Sequence, residues 1–320
     1  MKVLLWKIGA LGDVVMTTPL VRQLRRALPR ARIDYLVGKS FRAVLEGNPH
    51  LDEVRTFDED VLLRVRPAGV ADILEQLRGY DVVYVLDKHW VFGWLAWLAR
   101  VPVRIGFRRR ALEGWPHGVR VPYGPVRHEI DYYLDLAAAA GLAVDRADRR
   151  LELPAPVAFP LPGPYVVASN AGGQNPGESS RVRQLPDALF ASLVAQLAVR
   201  QRVVFVGSAG ERAAYEPLAQ AHGAINLCGT TSLPQVWGVL AGAEAVYTTD
   251  NGLMHMAGAL GTRVVAMFGP THPLRKSPPG ARWVWRAEDR YDPAYELFGR
   301  VPSGSFFERL SVPEILQAAG

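Results

Sequence analysis

Short apolar runs, spaced along the whole chain, constrain its fold more than any other feature. They are "VLLWKI" (3–8), "RIDYLVG" (32–38), "DVVYVLD" (81–87), "VRIGF" (103–107), "YVVASN" (165–170), "RVVFVGS" (202–208), "EAVYTTD" (244–250) and "RVVAMFG" (263–269). Most are continuous rather than alternating, the pattern of strands buried on both faces of a parallel sheet. Between them lie segments with apolar residues at helical spacing: 13–29, 128–142, 187–199, 232–243 and 252–261. Alternating strands and helices imply an α/β protein with doubly wound sheets, which bind ligands at the carboxyl ends of their strands.

The series is interrupted once. "LELPAPVAFPLPGP" (151–164) has five prolines in fourteen residues, too many for a helix or a central strand. It reads as a junction between two domains. The expected division is a first domain over 1–153, a Pro-rich linker over 154–164 and a second domain over 165–320. The last helix is expected to pack back on the first domain. No sequence repeat relates the halves.

Several classes of protein are disfavoured at this stage. The single cysteine, Cys228, cannot form an internal disulfide or a cysteine-rich metal site, and points to a reducing compartment. The first residues, "MKVLLWKIGALGD", have too short an apolar stretch for a signal peptide. The longest uncharged apolar run, 90–99, is too short to span a bilayer. A cytoplasmic protein is expected. Its net charge of +6 lies entirely in residues 1–150, with 24 Lys and Arg against 18 Asp and Glu, while residues 151–320 balance. Such asymmetry suits an acidic partner for the first half, or simple solubility. The neutral second half argues against broad nucleic-acid binding.

Four stretches carry candidate chemistry. In "KIGALGDVV" (7–15) a strand meets a glycine turn, and Asp13 stands at a helix start, either as a cap or as a general base. The dinucleotide fingerprint GxGxxG is absent, and Asp34 is mid-strand rather than at a strand end. In "SNAGGQNPGESSRVRQLP" (169–186) glycines, Arg181 and Arg183 follow a strand, where an anion can be held; a surface loop is the alternative. It is not a P-loop, since GxxxxGK[ST] is missing. In "TTDNGLMHMAGALG" (248–261) Asp250 and Asn251 suit sugar hydroxyls, the helix start suits a diphosphate and His255 lies one turn in. The alternative is a capped helix with a satisfied histidine. The small residues 257–261 are expected to let this helix lie close to its sheet. No second His or Cys stands at metal-ligand spacing, so no metal site is expected. Finally, "KHWVFGWLAWLAR" (88–100) puts Trp90, Trp94 and Trp97 on one helix face, with Arg100, Arg104, Arg108, Arg109 and Arg110 after it. This is either a membrane-facing element or a Trp-rich core helix followed by a solvated basic loop.

Taken together, these stretches resemble the heptosyltransferase family of glycosyltransferases (glycosyltransferase family 9), which build the inner core of lipopolysaccharide. The likeness is carried by "ALGDVVMTTPLVRQLRRALPRARIDYLV", "YDVVYVLD", "RIGF", "HEIDYYLDLAAAAGL" and above all "TSLPQVWGVLAGAEAVYTTDNGLMHMAGALGTRVVAMFGPTHP" (231–273). It covers almost the whole chain and is weaker at 40–75 and 275–310. The resemblance implies two Rossmann-like domains facing across a cleft, the GT-B arrangement. It implies a nucleotide-diphosphate sugar such as ADP-heptose in the second domain and an anionic glycolipid or glycan acceptor in the first. Transfer is expected to invert the anomeric carbon, with no cofactor or metal, at the inner face of the cytoplasmic membrane, and peripheral membrane contact fits this reading. A different sugar with a soluble acceptor, or nucleotide-sugar binding without catalysis, are the rival readings. Asp13 matches the family's base. Arg183 stands where the family usually has a phosphate-binding lysine, Glu211 near its ribose-binding acid, and Thr231 near the nucleotide base. Asp250, Asn251, Gly252 and His255 match the donor-binding run. Lys88, Arg108, Arg109 and Arg110 are the candidate acceptor contacts. The chain departs from the family in a longer loop at 170–186, in Asn251 where Ser is frequent, and in lacking a C-terminal Cys-Met.

Overall fold

The computed structural model describes residues 1–64, 67–110, 113–124, 126–172 and 180–320. Residue contacts divide it into two compact units, Met1–Arg150 and Leu151–Gly320.

The first unit holds β1 (Lys2–Lys7), α1 (Leu11–Met16), α2 (Thr18–Ala27), β2 (Arg32–Gly38), β3 (Glu53–Phe57), α3 (Asp60–Arg64), α4 (Pro67–Leu77), β4 (Val82–Val85), α5 (Trp90–Leu98), β5 (Val103–Arg108), β6 (Val119–Pro122) and α6 (Glu129–Ala139). Its sheet is wholly parallel, in the order β3-β2-β1-β4-β5-β6. The single helix expected over 13–29 is two helices, parted at Thr17 just before Pro19. Proline at the start of α2 lacks the N–H that a continuing helix needs. One face of the sheet is packed by Leu4, Trp6, Leu36, Val83 and Val85 against Ile73 and Leu77 of α4 and Phe92 and Leu95 of α5. The Trp6 ring meets Phe92 edge-on at 5.0 Å.

The second unit holds β7 (Tyr165–Ser169), α7 (Asp187–Arg200), β8 (Arg202–Phe205), α8 (Arg212–His222), β9 (Ile225–Asn226), α9 (Leu233–Gly242), β10 (Ala245–Thr249), α10 (Gly252–Ala259), β11 (Val264–Phe268), α11 (Pro273–Lys276), β12 (Arg282–Trp285), α12 (Pro293–Phe298) and α13 (Val312–Ala319). Its parallel sheet runs β9-β8-β7-β10-β11-β12. Counted from each unit's own first strand, both sheets have the order 3-2-1-4-5-6, so both are doubly wound Rossmann-like sheets.

The Pro-rich segment joins the second unit. Val157 N–H donates to the Pro234 carbonyl at 3.1 Å. A Cβ on Gly238 would stand 1.9 Å from the Val157 carbonyl oxygen, so α9 can hold the segment there only because residue 238 is glycine. The final helix packs on β11, β12 and α7 of the second unit. Gly258 and Gly261 also act differently from expectation. A Cβ on Gly258 would collide with Pro278 at 2.6 Å, so this glycine brings α10 close to a loop rather than to the sheet, and Gly261 turns the chain after α10 at φ +76°.

Candidate active site

A doubly wound sheet opens where its strand order reverses, between its first and fourth strands. In the first unit this point lies between β1 and β4. The chain leaves β1 through Gly9, where a Cβ would stand 2.3 Å from the Phe41 ring. Ala10 occupies the N-cap of α1 without a side-chain bond, and Asp13 lies in the first turn. The capping alternative for Asp13 is therefore not realised. Its carboxylate stands 3.7 Å from the ammonium of Lys7, which is itself buried and 3.1 Å from Asp87 at the end of β4. The other Asp87 oxygen accepts the Ile8 N–H at 2.6 Å. Asp87 thus fixes both the Lys7 side chain and the backbone leading to Asp13. A cation held this way keeps a partly exposed carboxylate in one place.

Beside this group, Lys88 donates to the fully buried Glu129 at 2.8 Å and lies 4.7 Å over the Tyr123 ring. Tyr123 donates to the other Glu129 oxygen. Lys88, expected as an acceptor contact, is thus first of all the partner of the buried Glu129 carboxyl group. Tyr133 is fully buried near the same cluster, and its hydroxyl has no hydrogen-bond partner among the described residues. Burial first, then the negative charges of Asp13 and Glu129, push its phenol well above the ordinary value, so it remains protonated.

The three candidate arginines at and just after the end of β5 divide. Arg108 and Arg110 are exposed, whereas Arg109 pairs with Glu113 at 2.9 Å. The tryptophan helix is not a core helix on its Trp face. Phe92, Leu95 and Ala96 of α5 face the core, and Trp90 and Trp97 are exposed.

In the second unit the switch point lies between β7 and β10. Of the loop after β7, residues 173–179 lie outside the described residues. Its two limbs are tied by side chains. Asn170 accepts the Leu185 N–H at 2.7 Å and donates to the Leu185 carbonyl at 3.0 Å. The Ala171 carbonyl accepts from Thr249 Oγ1 at 2.6 Å and Asn251 Nδ2 at 3.1 Å. Arg183, on the returning limb, places a guanidinium nitrogen 4.0 Å from the buried Asp250 carboxylate. Asp250 Oδ2 has no hydrogen-bond partner among the described residues. Asn251 differs from its neighbour. Its Oδ1 caps α10 by accepting the Leu253 N–H at 2.9 Å, and its Nδ2 also reaches Thr248 Oγ1 at 2.9 Å. Expected to contact a sugar, Asn251 is instead occupied by the protein on both ends. Gly252 begins α10, and His255 is buried one turn in.

Glu211 and Thr231 flank the same edge of the sheet, after β8 and before α9. Glu211 Oε2 accepts from the Ser208 N–H at 2.8 Å and its hydroxyl at 2.7 Å, closing a capping box. Its Oε1 and the Thr231 hydroxyl are buried without a partner among the described residues. Those residues contain no cluster of three His, Cys, Asp or Glu side chains arranged to hold a metal ion.

The residues missed from sequence are Lys7, Asp87, Glu129 and Asn170. Asp87 and Asn170 were detectable in principle, as polar residues at the ends of strands "DVVYVLD" and "YVVASN". Lys7 is hidden inside a strand run, and Glu129 is one of two acids in the first turn of α6, a position where acids are common.

Two doubly wound units, each with acidic and basic side chains at its switch point, are the parts of the two-Rossmann-domain, GT-B class of fold. More particularly, the chain belongs to glycosyltransferase family 9 (heptosyltransferase), whose sequence model matches residues 70–291. It is 29% identical to lipopolysaccharide heptosyltransferase 2 of Escherichia coli K12 over 299 residues, covering 85% of this chain and 84% of the relative. It is 27% identical to lipopolysaccharide heptosyltransferase 1 of Pseudomonas aeruginosa over 299 residues, covering 85% and 80%. Among solved structures it superposes on a family 9 glycosyltransferase from Veillonella parvula with a TM-score of 0.81 at 19% identity, covering 99% and 96% of the two chains. An E. coli heptosyltransferase with bound ADP-2-deoxy-2-fluoro heptose superposes with a TM-score of 0.74 at 19% identity, covering 99% and 98%.

Proposed function

We propose that this enzyme moves a heptose from ADP-heptose to an anionic lipopolysaccharide-core acceptor, with inversion and without a resident metal, at the cytoplasmic face of the membrane. One observation carries the donor assignment. Asp250 Oδ2, Glu211 Oε1 and Thr231 Oγ1 are buried polar atoms left without hydrogen-bond partners among the described residues, in a protein that satisfies most such atoms. All three follow or precede strands and helices at the ligand-binding edge of one sheet. They suit the hydroxyls of a sugar, the hydroxyls of a ribose and a nucleobase edge in turn. The names of the relatives, and the ADP-sugar held by a structural neighbour, support this choice of donor.

The chemistry follows from the side chains. Asp13 takes the proton of an acceptor hydroxyl as that oxygen attacks the anomeric carbon. The bond from the anomeric carbon to the diphosphate breaks on the opposite face, so a single displacement inverts the centre. The negative charge that grows on the leaving ADP is met by Arg183, His255 and the N-terminal amides of α10. Lys7 holds Asp13 in place, and the basic surface of the first unit suits an acidic acceptor.

The test uses the purified chain, ADP-heptose and a heptose-free core glycolipid. Product is read by mass spectrometry and anomeric configuration by NMR. Asp13→Asn is expected to lower turnover by about 10²–10⁴-fold while donor affinity by calorimetry stays unchanged. Normal turnover in this variant removes Asp13 as the base. Retention rather than inversion refutes the single displacement, and a rate lost on chelation and restored by a divalent ion refutes metal independence.

A further inference from the structure

We propose that the outward face of α5, together with Trp115 from the β5–β6 loop, is a membrane-docking surface that seats on the anionic headgroup region of a bilayer. This deepens the proposed function and takes its purpose from a lipid-linked acceptor, but the binding itself is a separate property.

The face is aromatic and exposed. Trp90, Trp97 and Leu98 of α5 are 48%, 44% and 51% exposed, and Trp115 in the β5–β6 loop is 56% exposed. Trp94 links two of them, lying 5.5 Å from the Trp97 ring and 5.4 Å from the Trp115 ring. These side chains do not serve the core, which takes Phe92, Leu95 and Ala96 from the opposite side of the helix. Exposed tryptophans grouped in this way are uncommon on a surface that meets only water. An indole has an apolar body and one N–H donor, and the headgroup boundary of a bilayer satisfies both.

The charge selects the occupant. Residues 90–127 carry seven arginines and one acid, Glu113. Arg109 is neutralised by Glu113 and Arg127 by Asp135. Arg104 instead donates to the carbonyls of Pro116, Val101 and Pro102, and Arg120 to those of His117 and Trp115. These two cations hold the loop that carries Trp115, and among the described residues neither pairs with a carboxylate. Arg100 and Arg108 are exposed beside them. A second copy of the same face would bring these cations against their own kind, whereas anionic lipid attracts them. No described helix is long and apolar enough to cross a membrane, so this surface lies on the bilayer. Trp90 stands just beyond the C-terminal end of β4, the strand that leads to Asp87 and Lys88. Docking here brings the acceptor side of the first unit to the lipid surface.

The experiment floats the full chain, without donor or acceptor, on vesicles of phosphatidylcholine alone or of phosphatidylcholine with phosphatidylglycerol. Binding is expected to the phosphatidylglycerol vesicles, to weaken with salt, and to be accompanied by quenching of tryptophan fluorescence by brominated lipid. Trp97→Ser with Trp115→Ser is expected to lower partitioning at least about tenfold, and Arg100→Gln to lower it for the anionic vesicles. An unchanged melting temperature shows that the variants fold, and quenching of the unmodified protein gives a readout that needs no variant. Absence of vesicle binding, equal binding by the Trp variant, or a dimer of the unmodified protein abolished by that variant each overturns the proposal. Vesicle binding without heptose transfer refutes the enzymatic reading alone, and transfer to a delipidated acceptor without vesicle binding refutes this one alone.

Discussion

Asp250 and Asn251 are adjacent, polar and buried, yet their atoms are used in opposite ways. Asn251 is bonded to Ala171, Thr248 and Leu253, whereas Asp250 keeps an oxygen unpartnered among the described residues. The two should separate in experiment. Asp250→Asn is expected to weaken donor binding by tenfold or more with a smaller change in melting temperature than Asn251→Ala, because its Oδ2 makes no hydrogen bond among the described residues and meets only Arg183, at 4.0 Å. Asn251→Ala is expected to destabilise the second unit by about 1–2 kcal/mol through the lost cap and the lost bonds to the Ala171 carbonyl and Thr248, and to affect the donor only through the displaced loop. Calorimetry of donor binding, set beside thermal unfolding, checks both. A stability loss for Asp250→Asn as large as that for Asn251→Ala refutes the division of roles. Sequence spacing placed both residues at the right edge of the sheet. It did not distinguish them, because an amide and a carboxylate at a strand end look alike until their partners are known.

At the level of elements, the loop after β7 depends on a clasp at its base. Asn170 binds both the N–H and the carbonyl of Leu185, a buried residue. Asn170→Ala leaves both backbone groups without their partner at a cost of about 1–3 kcal/mol each. The expected outcome is a higher KM for the donor, a smaller change in kcat and a lower melting temperature for the second unit. Asn170→Asp should do no better, since one carboxylate oxygen then faces the Leu185 carbonyl. A donor KM unchanged in either variant shows that Arg183 is placed by other contacts. The same scale explains how much of the fold was legible. The four strands absent from the sequence reading, β3, β6, β9 and β12, are the four edges of the two sheets. The strands recognised were those inside each sheet, such as β1 and β10, whose residues are buried almost without exception. An edge strand is covered on fewer sides, so β6 and β12 mix exposed and buried positions and lose the continuous apolar run. The candidate site was legible where strands ended in polar residues. It was not legible at Glu129 or Lys7, whose roles depend on pairings 41 and 80 residues distant in sequence.

For the whole molecule, two units with the same strand order differ in their response to acid. His117 in the first unit is buried, its ring filling the space above Gly106, where a Cβ would come within 2.3 Å of it. Burial first, then the charges of Arg104 and Arg120, lowers its pKa from 6.5 to about 4. Because the folded value lies below the unfolded one, the unfolded chain binds the proton first. The stabilisation from keeping this ring neutral is complete above pH 6.5 and is lost as pH falls from 6.5 towards 4, to a total of about 3 kcal/mol. His89, the cap of α5 in the same unit, is shifted down by burial and by Arg109, and adds to the effect. In the second unit His272 is shifted in this direction, by burial and Arg275. The carboxylates with lowered values, Asp52 and Asp148 in the first unit and Asp289 and Glu314 in the second, do not act until pH falls towards 4. Calorimetry between pH 7 and pH 4.5 should therefore move the unfolding transition of the first unit down further than that of the second. His117→Phe keeps a ring against Gly93 and Gly106 and removes the titration, so it should flatten most of that dependence. A slope that persists undiminished in His117→Phe assigns the acid sensitivity of the first unit to other groups.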